Sequence, residues 1–209
     1  MSTSIPVYIV REEALRSAVG CQDSDLLEEI SKKGSEHLHT IPTELSKSEL
    51  LYSLIGRPPL RRALRNILWD KAGSTPTAGF YACAYELLCS HFSVGSFEDW
   101  IPVARASSWL ADITSAAQTI DLDIDCTQLV FGGGLIDLSH VFSDDVSYGY
   151  WSAGQVAVYK AQVDRYLASD IFESAKDPMR DLNYPLHDIS KWLNTAAQQS
   201  GTAIVAFHI

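Results

Sequence analysis

The sequence predicts an α+β fold, a mostly helical single domain with a small sheet that includes the N- and C-terminal strands. Three observations predict it. Ile5–Val10 and Thr202–Ile209 read as strands and bracket the chain; the segments between them place apolar residues at helical spacing; and no repeat or low-complexity linker divides the 209 residues. A domain of this length buries roughly 70% of its unfolded surface, so a core can form without staples, and one domain over residues 1–209 is expected.

Taken in order, Ile5–Val10 sets Tyr8 among β-branched neighbours, side chains that suit a pleated surface. Pro6 cannot donate to a ladder and fits the first residues of a strand or an edge. A short helix from Arg11 to Val19 should stop at Gly20, a residue that adopts the left-handed conformation without penalty. Asp25 and Glu28 have capping-box spacing before Leu26–Lys33, and Gly34–Thr43 is polar and expected to be loop. Ser46 and Glu49 repeat the box before Leu50, Leu51, Leu54 and Ile55, and Gly56-Arg57-Pro58-Pro59 breaks that helix. Leu60, Leu64, Ile67 and Leu68 form the stripe of the next. Thr75 and Pro76 then prepare the most apolar helix, Phe80–Phe92. Ser96 and Asp99 are expected to cap a single turn carrying Trp100. Ser107–Thr119 is amphipathic. Cys126–Phe131 is a strand candidate ended by three glycines, and Asp137–Tyr150 is turn-rich. Val156, Tyr159, Val163 and Tyr166 are in phase along Gln155–Leu167, and Ile189, Trp192, Leu193 and Ala196 along the last helix. Thr202–Ile209 is apolar on both faces, the pattern of a strand covered on both sides.

Twenty-six acids against 16 bases give a formal charge of −10. That charge repels phosphates, so no nucleic-acid partner and no anionic membrane surface is expected. It favours instead fast encounter with a basic protein. The four cysteines have neither disulfide-framework nor zinc spacing, and the N-terminus lacks the basic region and apolar run of a signal peptide. A reduced, cytoplasmic protein is expected, with no cofactor and no metal.

Chemistry-bearing candidates are few. The triple glycine at Gly132 lacks the order of a phosphate-binding loop and reads as a turn. Asp121, Asp123 and Asp125 alternate as calcium ligands would, but the glycine and glutamate such a loop requires are missing. Their alternation with Ile120, Leu122 and Ile124 reads as an outward acidic face. Asp137, His140, Asp144 and Asp145 gather one imidazole and three carboxylates. Glu86 stands inside an otherwise apolar helix, where a carboxylate must be paired, hydrogen-bonded or protonated. It is either a satisfied core group or a general acid. Arg57, Arg61, Arg62, Arg65 and Lys71 form the one basic concentration, suited to an anion or to an acidic segment of a partner.

Ile5-Pro-Val-Tyr-Ile-Val, Leu15-Arg-Ser-Ala-Val-Gly, Tyr81-x-x-x-Tyr85-Glu-Leu-Leu-Cys89, Trp109-Leu110, Gly149-Tyr150-Trp151 and Trp192-Leu193…Ala196-Ala197…Ile204-Val205-Ala206-Phe207 together resemble an uncharacterised bacterial domain family. The closing helix and strand are distantly similar to YfbM-like proteins. The resemblance implies a one-domain cytoplasmic bacterial protein of α+β type and assigns no catalytic residue. Two readings of function follow. The first is a non-enzymatic, immunity- or antitoxin-like binder of a basic protein, with Tyr148, Tyr150 and Trp151 as anchors beside Asp144 and Asp145. The second is an enzyme whose acid–base pair is Glu86 and His140. A homodimer through the late aromatic segment is a further possibility.

Overall fold

The computed structural model describes residues 3–37, 59–71, 78–101, 106–137, 147–169 and 183–208. These hold four strands, β1 (Thr3–Arg11), β2 (Ser93–Ile101), β3 (Ser147–Trp151) and β4 (Thr202–His208). They also hold eight helices: α1 (Glu12–Ala18), α2 (Ser24–His37), α3 (Pro59–Leu68), α4 (Ala78–Phe92), α5 (Ala106–Gln118), α6 (Gln128–Phe131), α7 (Ala153–Leu167) and α8 (Asn183–Ala197). The chain divides into two compact units. One comprises Met1–Glu12, Ser93–Leu135 and Ser147–His208; the other is built mainly from Glu13–Phe92.

The first unit contains the whole sheet, in the order β2-β1-β4-β3 with every neighbouring pair antiparallel. Both terminal strands lie inside it, hydrogen-bonded side by side. Val7 faces Ala206 and Tyr8 faces Val205. Pro6 lies one residue outside the stretch of β1 that β4 pairs, so β1 is flanked on both sides along Val7–Val10 while, among the described residues, Pro6 has its strand neighbour in β2. Ala203–Phe207 are all fully buried, as apolar residues on both faces of β4 require.

One sheet face carries Ile5, Val7, Ile9, Trp151, Ile204 and Ala206, and against it pack the inner stripes of four helices. α5 gives Leu110, Ile113 and Ala117, α6 gives Leu129 and Val130, α7 gives Val156, Tyr159, Val163 and Tyr166, and α8 gives Leu186, Ile189, Trp192, Leu193 and Ala196. Each large side chain so buried stabilises the unit by about 1.5–3 kcal/mol. On the other face Phe207 meets Tyr8 edge-on at 6.0 Å and stacks with Tyr148 at 6.4 Å between ring centres. α7 starts with a complete capping box: Ser152 Oγ accepts from Gln155 N, and Gln155 Oε1 accepts from Ser152 N at 3.0 Å. Glu12 pins this start to the end of β1, its Oε2 accepting from Ala153 N at 2.8 Å while its own amide donates to Gly201 O.

Two expectations need correction in this unit. Ser93–Ile101 is a strand, not a turn capped by Ser96. Pairing along β1 from Thr3 to Val10, with Val94 and Phe97 packed on the core, overrides a purely local cap signal. Cys126–Phe131 is not a strand. Asp125 Oδ1 accepts from Thr127 N at 2.9 Å and Gln128 N at 3.1 Å, and this capping bends the segment into the single turn of α6. The turn-rich stretch also contains a strand, since Ser147–Tyr150 belong to β3.

In the second unit α1 ends before Gly20, whose φ of +74° lies in the left-handed region that glycine adopts at least cost. Gly20 and Gln22 donate to the carbonyls of Ile67 and Leu68, tying this turn to the end of α3. α2 is capped by Asp23 rather than Asp25: Asp23 Oδ1 accepts from Asp25 N at 2.8 Å and Leu26 N at 3.0 Å. It also runs past Gly34 to His37, where a loop was expected. α3 buries Leu60, Ala63, Leu64, Ile67 and Leu68, and α4 buries all of Phe80–Tyr85 and Leu87–Cys89. Asn66 Nδ2 donates to the Tyr81 hydroxyl at 2.7 Å between these two helices. The expected helix at Ser46–Ile55, the Gly56–Pro58 break and the Thr75–Pro76 start lie outside the described residues.

Candidate functional site

In the first unit, a dense set of polar contacts surrounds the segment Asp121–Gln128. The alternation seen in the sequence sets its two sides: Leu122 and Ile124 are buried, while Asp121 and Asp123 are exposed. What holds this acidic segment is one face of α7. Gln155, Tyr159 and Gln162, spaced i, i+4 and i+7, line up along the helix. Gln162 Oε1 accepts from Asp123 N at 2.7 Å, and Gln155 Nε2 donates to Gln128 Oε1 at 2.7 Å. Trp151 Nε1 donates to the Asp125 carbonyl at 2.9 Å, and the indole meets Tyr159 edge-on at 5.0 Å. Burial pushes the Tyr159 hydroxyl up, against opposing hydrogen bonds from the Asp125 backbone and the Gln155 side chain. The charges of Asp123 and Asp125 add to the upward shift.

This arrangement holds aspartates at the surface; it does not gather them as ligands. The Asp125 carboxylate is engaged by the α6 cap and by Thr127 Oγ1 at 2.5 Å, and Asp121 and Asp123 point to solvent. Among the described residues no group of three or more His, Cys, Asp or Glu side chains could hold a metal ion. Among the described residues the large hydrophobics exposed by about half are Phe131 at 51%, at the end of α6, and Val158 at 52%, on α7.

Tyr148 and Trp151, two of the expected binding anchors, are buried in β3, Trp151 completely; Tyr150 is half-buried. His140, Asp144, Asp145 and Arg57 lie outside the described residues. Glu86 is part-buried on α4 with Oε2 shielded from solvent. Among the arginines, Arg61 pairs with Glu28, Arg65 lies over the Trp69 ring at 5.5 Å, and Arg62 is exposed. The glutamine pair Gln155 and Gln162 and the Asp125 cap escape sequence reasoning. Capping-box spacing from Ser152 to Gln155 is the one local signal that leads toward them.

The family model described as Domain of unknown function (DUF7691) matches residues 1–208. The chain belongs to this family. No curated protein and no solved structure matches it. The DUF7691 match runs from the terminal strand β1 to the last residue of β4, so it spans the sheet and both units. No helix among the described residues of this DUF7691 chain is long and apolar enough to cross a membrane.

The thiols of the DUF7691 chain give a first test of its burial pattern. Cys21 is exposed; Cys83, Cys89 and Cys126 are buried, and none is bridged. Burial, with a smaller effect of the Glu86 charge on Cys83 and of Asp125 on Cys126, pushes both thiols up to about 12. Burial and Glu86 likewise raise Cys89 well above the usual thiol range. The thiolate is the reactive form. A thiol reagent at about pH 8 should therefore label Cys21 alone in the folded protein and all four cysteines in denaturant. Fast native labelling of Cys83 or Cys126 would contradict this burial.

Proposed function

We propose that the chain is a non-enzymatic binding domain of the bacterial cytoplasm that covers a basic protein partner, in the manner of immunity- or antitoxin-like domains. The observation that carries this reading is the acidic excess of the chain, 26 acids against 16 bases. Lys33, Arg61, Lys160 and Lys191 are each held by a carboxylate of their own chain: Glu29, Glu28, Asp164 and Asp188. Each such pair cancels one base against one acid and leaves the formal charge of the chain at −10. Exposed Glu13, Asp23, Asp25, Asp70, Asp112, Asp121 and Asp123 carry the negative field outward. Such a field accelerates encounter with a positive partner more than it tightens the final contact. Four unbridged cysteines fit a reducing compartment.

The test is affinity capture from the native host, followed by kinetics with the captured protein. The expected result is a stoichiometric basic partner whose association rate falls by roughly tenfold or more as salt rises from low to high ionic strength. A salt-independent rate would remove steering from the mechanism. A partner-free monomer that turns over substrate in a hydrolase screen, with turnover abolished by Glu86→Gln, would replace the binder with an enzyme.

A further inference from the structure

We infer that the surface of the first unit around Phe131 and Val158 is the docking site for that partner, and that it takes an amphipathic helix with an apolar face flanked by Lys or Arg. This rests on the reading of a basic partner and adds where it binds and in what form. An isolated exposed valine or phenylalanine needs no explanation. These two belong to one surface, because Gln128 and Gln155 are hydrogen-bonded at 2.7 Å and Phe131 and Val158 each follow one of them by a single helical turn.

The acidic segment borders the same surface. Val158 lies between Gln155 and Gln162 on α7, and both glutamines grip the Asp123–Gln128 segment. Exposed Asp121 and Asp123 therefore run beside Val158. Outward from Val158, α7 presents Ala157 and Ala161, both exposed and short enough for another helix to come close. Asp164 is paired with Lys160 at 2.5 Å, which leaves Asp121, Asp123 and Asp125 against Arg165 here. An apolar centre with a negative rim matches a helix whose leucines face inward and whose lysines overhang the edge. A second copy of this acidic chain would meet repulsion instead.

The probe is a helical Leu/Lys peptide of about five turns, leucines on one face, with its Leu/Glu counterpart as control. Both are titrated against the full chain at about 0.15 M salt, where long-range attraction is screened. The expected result is binding of the Leu/Lys peptide only, weakened roughly tenfold by Val158→Asp. That variant adds a negative charge, so electrostatics alone would strengthen binding, and a loss reports the apolar contact. Phe131→Ser is the second variant should Val158→Asp fail to fold. Glu28→Gln with Glu29→Gln, on α2 of the other unit, should leave binding unchanged. Failure of the Leu/Lys peptide to bind, or binding lost through the α2 variant but not through Val158→Asp, overturns this site and leaves a basic partner standing. Equal binding of the Leu/Glu peptide overturns both.

Discussion

Alanine at position 149 should destabilise the first unit by about 3 kcal/mol, the upper end of what overpacking one methyl group costs. Gly149 faces Ala206 across the β3–β4 ladder, on the face that α6 packs against. A Cβ there would overlap the carbonyl oxygen of Gln128 and come within 2.5 Å and 2.6 Å of the Leu129 carbonyl carbon and oxygen. These are backbone atoms, so no side-chain rotation relieves the clash. Either β3 or α6 must move, and α6 is held by the Asp125 cap and by the Gly133 amide donating to Tyr148 O. Gly154→Ala is the matched control. Its Cβ would meet only Ser152 Oγ at 3.9 Å, and a helical Gly→Ala change stabilises by ~0.4–1 kcal/mol. Urea unfolding of both variants should give midpoint shifts of opposite sign. Shifts of the same sign would place α6 elsewhere than over β3.

Position 149 illustrates why parts of this fold are legible in the sequence and parts are not. Terminal strands, the α7 stripe of Val156, Tyr159, Val163 and Tyr166, and the alternation of Leu122 and Ile124 with Asp121 and Asp123 declare themselves within a dozen residues, because burial imposes a period on neighbours. β2 does not. Its residues carry a local capping signal at Ser96 and Asp99, and only pairing with β1, some ninety residues earlier in sequence, makes them extended. α6 fails for the mirror reason: Cys126–Phe131 is apolar enough for a strand, and a single carboxylate at Asp125 decides the turn. Gly149 reads as an ordinary strand glycine until α6 is placed over it.

The same distinction governs the candidate site. Gln155 is legible as a cap partner of Ser152, yet its bond to Gln128 spans 27 positions in sequence and Gln162 reaches Asp123 across 39. Amide side chains carry no charge and no periodic pattern, so nothing local distinguishes these two from solvent-facing glutamines. The aromatic segment shows the opposite ambiguity. Tyr and Trp suit binding anchors and cores alike, and only the fold assigns Trp151 to an interior position.

That assignment leads to the second large effect. Trp151→Ala should destabilise the protein by about 3–5 kcal/mol, the usual range for emptying a buried aromatic site. The indole is fully buried among the helices packed on the sheet, meets Tyr159 edge-on and donates from Nε1 to the Asp125 carbonyl at 2.9 Å. Trp151→Phe separates the contributions. It keeps most of the ring volume but leaves that carbonyl without its donor, at a cost of about 1–3 kcal/mol. Denaturant unfolding followed by far-UV circular dichroism measures both. The pair also separates structure from recognition. If Trp151 acts through the fold, the alanine variant should lose partner binding in proportion to its unfolded fraction and regain it under stabilising conditions, whereas Val158→Asp should lose binding while unfolding at the parent midpoint. A Trp151→Ala protein within 1 kcal/mol of the parent that no longer binds would return the tryptophan to the interface. It would also mean that the Asp121–Gln128 segment is held by α7 without help from the indole.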